Sequence, residues 1–99
     1  MVPLIFEADL WRYPGESGWC FVTLPVALAE EIREITDGGR RRGFGSVRVS
    51  VTVGSTTWST SVFPDSSSGS YVLPVKQAVR RAESLEVGDP VPVSLTLHV

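Results

Sequence analysis

The segment from position 47 to position 63 constrains the fold of this chain more than any other. Valine occupies every second position from Val47 to Val53, and arginine, serine and threonine fill the positions between. After the turn Gly54-Ser55-Thr56, a second alternating run extends to Phe63. Strict alternation is typical of a strand with one buried face, and two such runs around a short turn predict a β-hairpin. The core is therefore expected to be built on sheet.

Four further strands are predicted by alternation or by β-branched and aromatic composition. They cover positions 5–13, 19–23, 71–73 and 91–97. The turn residues at positions 14–18 join the first two of them into a second hairpin. Pro92 cannot donate a backbone hydrogen bond, so the last strand is expected at a sheet edge or beside a bulge.

Two short helices are predicted to begin at prolines that follow leucine, Pro25 and Pro74. The order of strand, Leu-Pro, helix, glycine and strand thus occurs twice, which suggests a pseudo-twofold architecture. The first helix is expected to end at Asp37-Gly38-Gly39, and the second before Gly88. The predicted apolar faces are Leu28, Ile32 and Ile35 in the first helix and Val75, Ala78, Val79 and Ala82 in the second.

Size and composition indicate one globular domain that spans residues 1–99. The single cysteine, Cys20, has no partner for an internal disulfide and is expected to pack in or beside a strand. No apolar run is long enough to cross a bilayer and no cleavable leader is recognised, so we expect a cytoplasmic protein without a membrane partner. The net charge of −2 opposes general nucleic-acid binding.

Two groups of residues are candidates for binding a ligand. Lys76 and Arg80 lie four positions apart, hence on one helix face, where they would attract an anion. Trp58, Ser59 and Ser61 lie on a strand that we expect to approach this helix, so the five residues form the first candidate site; the alternative is a helix held by ion pairs and a strand with an ordinary polar face. The second candidate is Arg40-Arg41-Arg42, either a nucleic-acid contact or a solvated loop.

No catalytic set is recognisable in the sequence. The only histidine, His98, has no cysteine, histidine or carboxylate at ligand spacing, so neither a metal site nor a nucleophile–base pair is predicted. No serine lies in a nucleophile-elbow pattern, and no glycine-rich phosphate loop precedes a helix. We therefore predict no cofactor and favour a protein that is not an enzyme.

Several ordered motifs together resemble the family named domain of unknown function 1905 over nearly the whole chain. These motifs are Gly18-Trp19-Cys20-Phe21-Val22-Thr23-Leu24-Pro25, Trp58-Ser59-Thr60-Ser61-Val62-Phe63-Pro64, Tyr71-Val72-Leu73-Pro74-Val75-Lys76 with Val79-Arg80, and Gly88-Asp89-Pro90-Val91. The resemblance implies a mainly β fold, a double-split β-barrel with two short helices, related in topology to the barrels of AbrB-like and MazE-like bacterial proteins. Two chains usually complete one barrel in those relatives. This chain has about twice their elements, so we favour a monomer that closes its own barrel, with a homodimer as the alternative.

Three functions therefore remain open. The first is a non-enzymatic binding module for a small anionic ligand or a protein segment. The second is a nucleic-acid-binding regulator, by analogy with AbrB-like barrels and against the acidic net charge. The third is an enzyme whose groups meet only in the folded chain.

Overall fold

The computed structural model describes residues 3–36 and 45–98, and nearly half of these residues lie in antiparallel strands. Seven strands and two helices follow one another along these residues. They are β1 (Leu4–Asp9), β2 (Trp11–Arg12), β3 (Cys20–Thr23), α1 (Val26–Ile35), β4 (Val47–Val53), β5 (Thr56–Asp65), β6 (Ser70–Pro74), α2 (Gln77–Ala82) and β7 (Pro90–Leu97).

The valine-rich hairpin is formed as the sequence predicts. Strand β4 pairs with β5 in a regular antiparallel register that places Val47 opposite Val62 and Val51 opposite Trp58. All four alternating valines of β4 are almost completely buried. Arg48, Ser50 and Thr52, which lie between them, point to the outer side of the sheet, because successive side chains of a strand alternate between its faces.

Two sheets make up a nearly closed barrel, and two strand segments pass from one sheet to the other. Residues 56–62 of β5 pair with β4, whereas residues 63–65 pair with β6. In the same way β1 pairs with β7, and β2, which follows after Leu10 alone, pairs with β3. The resulting strand order is β1-β7-β4-β5-β6-β3-β2. Because β1 and β2 are consecutive in the chain, this row of strands closes on itself, and the predicted double-split barrel is confirmed.

The strand order has the pseudo-twofold symmetry that the repeated Leu-Pro pattern suggests. Exchanging β1–β2 with β5, β3 with β6 and β4 with β7 leaves the neighbours in the ring unchanged. Equivalent strands lie side by side and antiparallel, β3 beside β6 and β4 beside β7. Antiparallel neighbours of this kind are what a twofold axis running between them produces.

Leu10 marks the point at which the first strand exchanges partners. Its N–H donates to the carbonyl oxygen of Asp89 at 2.9 Å, and its carbonyl accepts the N–H of Gly88 at 2.8 Å. Its side chain is 1% exposed. The Gly88-Asp89 turn therefore does more than lead into β7, because it also fixes the backbone at the corner of the barrel.

The barrel interior is filled mainly by aliphatic side chains from the inner faces of the strands. Cys20 is buried among them, which confirms its predicted packing role. Helix α1 follows Pro25 as predicted and buries Ala29 and Ile32. Ile35 is 45% exposed, so the prediction that it shares the buried face was wrong. The buried stripe of this short helix continues instead to Thr36, whose hydroxyl donates to the carbonyl of Ile32.

The second helix begins later than the sequence predicts. Pro74 is the last residue of β6 and lies opposite Phe21, and the N–H of Val75 donates to the carbonyl of Cys20. These pairings extend the strand, and α2 starts only at Gln77. Among its residues Val79 is buried whereas Ala78 and Ala82, which were expected on the apolar face, are exposed.

The predicted glycine stop of the first helix, at positions 37–39, lies outside the described residues. Neither described helix combines the length and the apolar character that crossing a bilayer requires.

Candidate functional site

An open groove lies where β5 and β6 separate. The two strands pair only between residues 63–65 and 70–72, whereas the earlier part of β5 pairs with β4 and the later part of β6 pairs with β3. The groove has a volume of about 1070 Å³ and is bounded by β5, the β2–β3 hairpin, the end of β6 and the start of α2. It is a direct consequence of the partner exchange that defines the barrel.

Three cationic side chains line this groove: Arg12, Lys76 and Arg80. No aspartate or glutamate is among its described lining residues. The whole chain carries a net charge of −2, so the positive charge is a local property of the groove. A cleft lined by one sign of charge concentrates ligands of the opposite sign.

Apolar side chains provide most of the remaining wall. Trp19, Val87 and Phe63 line the groove although they are 66%, 58% and 42% exposed. Phe21 and Val72 extend the same surface. Exposed apolar side chains gathered in a concave surface are typical of ligand sites, whereas apolar side chains exposed singly over a surface are common in proteins without one.

The aromatic wall is held in place by its own contacts. The ring of Phe21 stacks on that of Trp11, with ring centroids 5.1 Å apart. The ring of Tyr13 meets the Phe21 ring edge-on, with ring centroids 6.4 Å apart. The indole Nε1 of Trp11 donates to Thr23 Oγ1 at 2.9 Å. A ring fixed on one side in this way loses little further freedom when a ligand contacts its other side.

The two predicted cations have different roles in the fold. Arg80 is half-buried, and its Nε and Nη2 donate to the carbonyl oxygens of Val75 at 3.0 Å and Gly18 at 3.5 Å. It therefore ties α2 to the end of β6 and to the β2–β3 hairpin, through backbone carbonyls rather than carboxylates. Lys76 is the exposed N-terminal cap residue of α2, and its backbone carbonyl accepts the N–H groups of Val79 and Arg80.

We expect Arg80→Gln to lower the free energy of unfolding by about 1.5 kcal/mol, since charge-assisted hydrogen bonds to two carbonyls are lost. Urea denaturation of the variant and of the wild type measures this. Arg81→Gln is the matched control, because Arg81 is exposed on the same helix and does not line the groove. Equal midpoints for the two variants would contradict the structural role given to Arg80.

The strand residues predicted to share a site with Lys76 and Arg80 do not line the groove. Trp58 lies on the inner face of β5, opposite Val51, and packs against the core. Ser59 and Ser61 lie on the outer face of the same strand, where Ser61 Oγ is 3.5 Å from Arg48 Nη1. Strand alternation therefore separates Trp58 from the two serines.

Other residues of the groove were missed at the sequence level. Arg12, Trp19 and Phe63 lie in three different strands or turns, and only the pairing of these strands brings them together. Local alternation gives no common signal for them: Arg12 is in phase with the inward residues Phe6 and Leu10, whereas Phe63 alternates outward from the buried Val62. The run Arg40-Arg41-Arg42 lies outside the described residues.

His98 has a neighbour that sequence spacing did not reveal. Its Nε2 lies 2.6 Å from Ser50 Oγ, because β7 pairs with β4. Within residues 3–36 and 45–98, no three histidine, cysteine or carboxylate side chains are grouped as a metal site would need.

Comparison with protein families places the chain in a family. A family model described as "Domain of unknown function (DUF1905)" matches residues 6–95. These residues include every strand and helix that borders the groove. The comparison with curated proteins gives no match.

Proposed function

The chain belongs to the DUF1905 family, whose description assigns no activity, and from the geometry of the groove we propose that it binds a small organic anion with an aromatic or apolar body. One observation carries this proposal. Three cations and three exposed apolar side chains surround a single groove in a protein of net negative charge. Sites of this composition favour ligands that combine a flat or aliphatic body with a carboxylate or phosphate group.

The proposed ligand has an orientation. Its apolar body would contact Trp19 and Phe63, which would be shielded from water in the complex. Its anionic group would lie at the end of the groove where Lys76 caps helix α2 and Arg80 projects from it. Arg80 donates two of its five N–H groups to backbone carbonyls. These bonds hold the guanidinium in place, and its remaining N–H groups could donate to the ligand.

Binding rather than catalysis fits the lining of the groove. Neither a histidine nor a carboxylate is among the described residues around it, so the usual general bases are not placed beside a ligand there. Attraction of an anion and burial of an apolar body require only the residues that are present.

The proposal predicts a specific order among three probes: 1-naphthoate, the neutral 1-naphthamide and inorganic phosphate. We expect 1-naphthoate to bind most tightly, since only it combines an apolar body with a negative charge. Thermal shift and isothermal titration calorimetry at constant ionic strength measure this. Equal affinity for naphthoate and naphthamide would contradict a role for the cations. Phosphate binding that is as tight as naphthoate binding and is weakened equally by Lys76→Gln would contradict a role for the apolar wall.

The matched variants are Lys76→Gln and Arg81→Gln, which remove the same charge from inside and outside the groove. We expect Lys76→Gln to weaken naphthoate binding roughly tenfold, as the loss of one charge-assisted contact does, and Arg81→Gln to leave it unchanged. Equal affinities for both variants would place the ligand elsewhere.

Two further binding experiments test the other candidate functions, recognition of a protein segment and nucleic-acid binding. An acidic peptide that contains an aromatic residue tests a protein segment as the occupant, again with Lys76→Gln. A random DNA duplex at low and at moderate salt tests nucleic-acid binding, with Arg40, Arg41 and Arg42 all changed to alanine. Duplex binding that is salt-sensitive, lost in the triple variant and tighter than naphthoate binding would overturn the small-anion proposal.

A further inference from the structure

A second polar surface lies outside the groove, and none of its residues lines the groove. It is the outer face of the sheet formed by β7, β4 and β5. The hydroxyl patch, as we name it, consists of five residues on this face: two from β4, two from β5 and one directly after the end of β7. They are Arg48, Ser50, Ser59, Ser61 and His98.

The register of the sheet brings these residues together. Ser50 lies directly opposite Ser59, and Arg48 lies directly opposite Ser61. On the other side of β4, the N–H of His98 donates to the carbonyl of Arg48 at 2.9 Å. Side chains that are directly opposed across antiparallel strands have Cβ atoms about 5 Å apart. The five side chains therefore surround one small area of the sheet.

Contacts within the patch orient its polar groups. Ser50 Oγ and His98 Nε2 are 2.6 Å apart, and Arg48 Nη1 lies 3.5 Å from Ser61 Oγ. When the imidazole donates to Ser50, the serine O–H is left to donate outward. The patch then presents a guanidinium and up to three hydroxyl donors toward solvent.

No carboxylate competes for these donors at the outward positions of the three strands around the patch. The other outward residues of β4 and β7 are Thr96, which lies directly opposite Ser50, and the opposed pair Thr52 and Ser94 farther along the two strands. The next outward carboxylate along β5 is Asp65, which accepts the N–H of Ser68 in its own loop. The patch is thus rich in donors and carries the positive charge of Arg48.

We propose that the hydroxyl patch binds a tetrahedral oxyanion, such as the phosphate group of a small molecule. Four oxygen atoms on a compact ion match several donors that converge from the neighbouring strands β4 and β5, and an arginine beside hydroxyl groups suits the binding of phosphate. A carboxylate, with two oxygens in one plane, would use fewer of these donors. The site is separate from the groove and does not depend on the function proposed for it.

His98 is the only histidine of the chain, so its ring signals report on the patch alone. The experiment is a titration of the full protein with sodium phosphate and, separately, sodium sulfate. The ring carbon-bound protons are followed by NMR at fixed pH, with ionic strength held constant by sodium chloride. We expect saturable shifts with both oxyanions. Shifts that remain linear, or that chloride alone reproduces, would overturn the proposal.

Two variants locate the site. Arg48→Gln is expected to weaken phosphate binding roughly tenfold and Ser50→Ala severalfold, since each removes a donor from an exposed position. Arg81→Gln removes the same charge from the surface of α2 and is expected to leave the titration unchanged. An unchanged phosphate affinity in Arg48→Gln would overturn the proposal. A loss of phosphate binding in Lys76→Gln would also overturn it, because the oxyanion would then bind in the groove.

Discussion

Leu10→Ala is expected to lower the free energy of unfolding by about 3 kcal/mol, close to the middle of the range for truncating a fully buried leucine. Leu10 is 1% exposed and lies where the first strand leaves one sheet and enters the other. The truncation leaves a cavity at the corner where the barrel closes. The backbone hydrogen bonds to Gly88 and Asp89 hold that corner in place, so the surrounding chain cannot move far to fill the cavity.

Ile5→Ala is the matched control for this experiment. Ile5 belongs to the same first strand, but its side chain is 72% exposed. We expect its truncation to change the free energy of unfolding by less than about 0.5 kcal/mol, as surface substitutions usually do. Urea denaturation followed by tryptophan fluorescence measures both variants. If Leu10→Ala were no more destabilising than Ile5→Ala, closure of the barrel at this corner would not contribute to stability.

The local elements of this fold are predictable from the sequence, because their signals are local. The alternation from Val47 to Val53 specifies a strand and its buried face without reference to the rest of the chain. The double-split barrel was predicted from family resemblance, and the repeated Leu-Pro pattern agreed with it. The periodicity of a single sequence would not have predicted a closed ring of strands, because no local pattern indicates that β1 pairs with β7.

The errors in the prediction have tertiary causes. Pro74 satisfies the local rule for a helix start, yet it lies in β6 because β3 pairs with it and continues to Val75. Trp58 was grouped with Ser59 and Ser61 although neighbouring strand positions face opposite sides. The groove itself arises from the partner exchange of β5, which no local pattern encodes. Binding sites that form between elements are therefore harder to predict than the elements.

The pseudo-twofold symmetry of the barrel does not extend to the charges of the groove. Aligning the two Leu-Pro dipeptides places Ala27 at the position of Lys76 and Glu31 at the position of Arg80. Both cations of the second half are thus replaced in the first half, one of them by a carboxylate. Symmetry would give two equivalent sites, whereas these substitutions favour an anion site beside α2 alone. The positive charge of the groove is therefore not part of the repeated sequence pattern from which the two halves of the barrel are built.

Gly54→Ala is expected to destabilise the protein by about 2–3 kcal/mol, for two reasons that can be separated. Gly54 has a φ of +59°, a conformation that costs other residues roughly 1–2 kcal/mol. A Cβ at this position would also overlap the carboxylate of Glu83, which follows α2. That carboxylate accepts hydrogen bonds from Thr56 at 2.6 Å and Ser55 at 3.3 Å. To avoid the overlap it would have to give up these bonds, which contribute about 1 kcal/mol.

Gly69→Ala isolates the first of these two costs. Gly69 has a φ of +71°, and a Cβ there would meet no atom within 4 Å, so only the backbone conformation is penalised. The second cost is isolated by introducing Gly54→Ala into a Glu83→Ala background, where the overlap and the hydrogen bonds are already gone. We expect Gly54→Ala to cost about as much there as Gly69→Ala does in the wild type, roughly 1–2 kcal/mol. An equal cost of Gly54→Ala in both backgrounds would show that Glu83 does not anchor α2 to the β4–β5 hairpin, because the penalty would then come from the backbone of the turn alone.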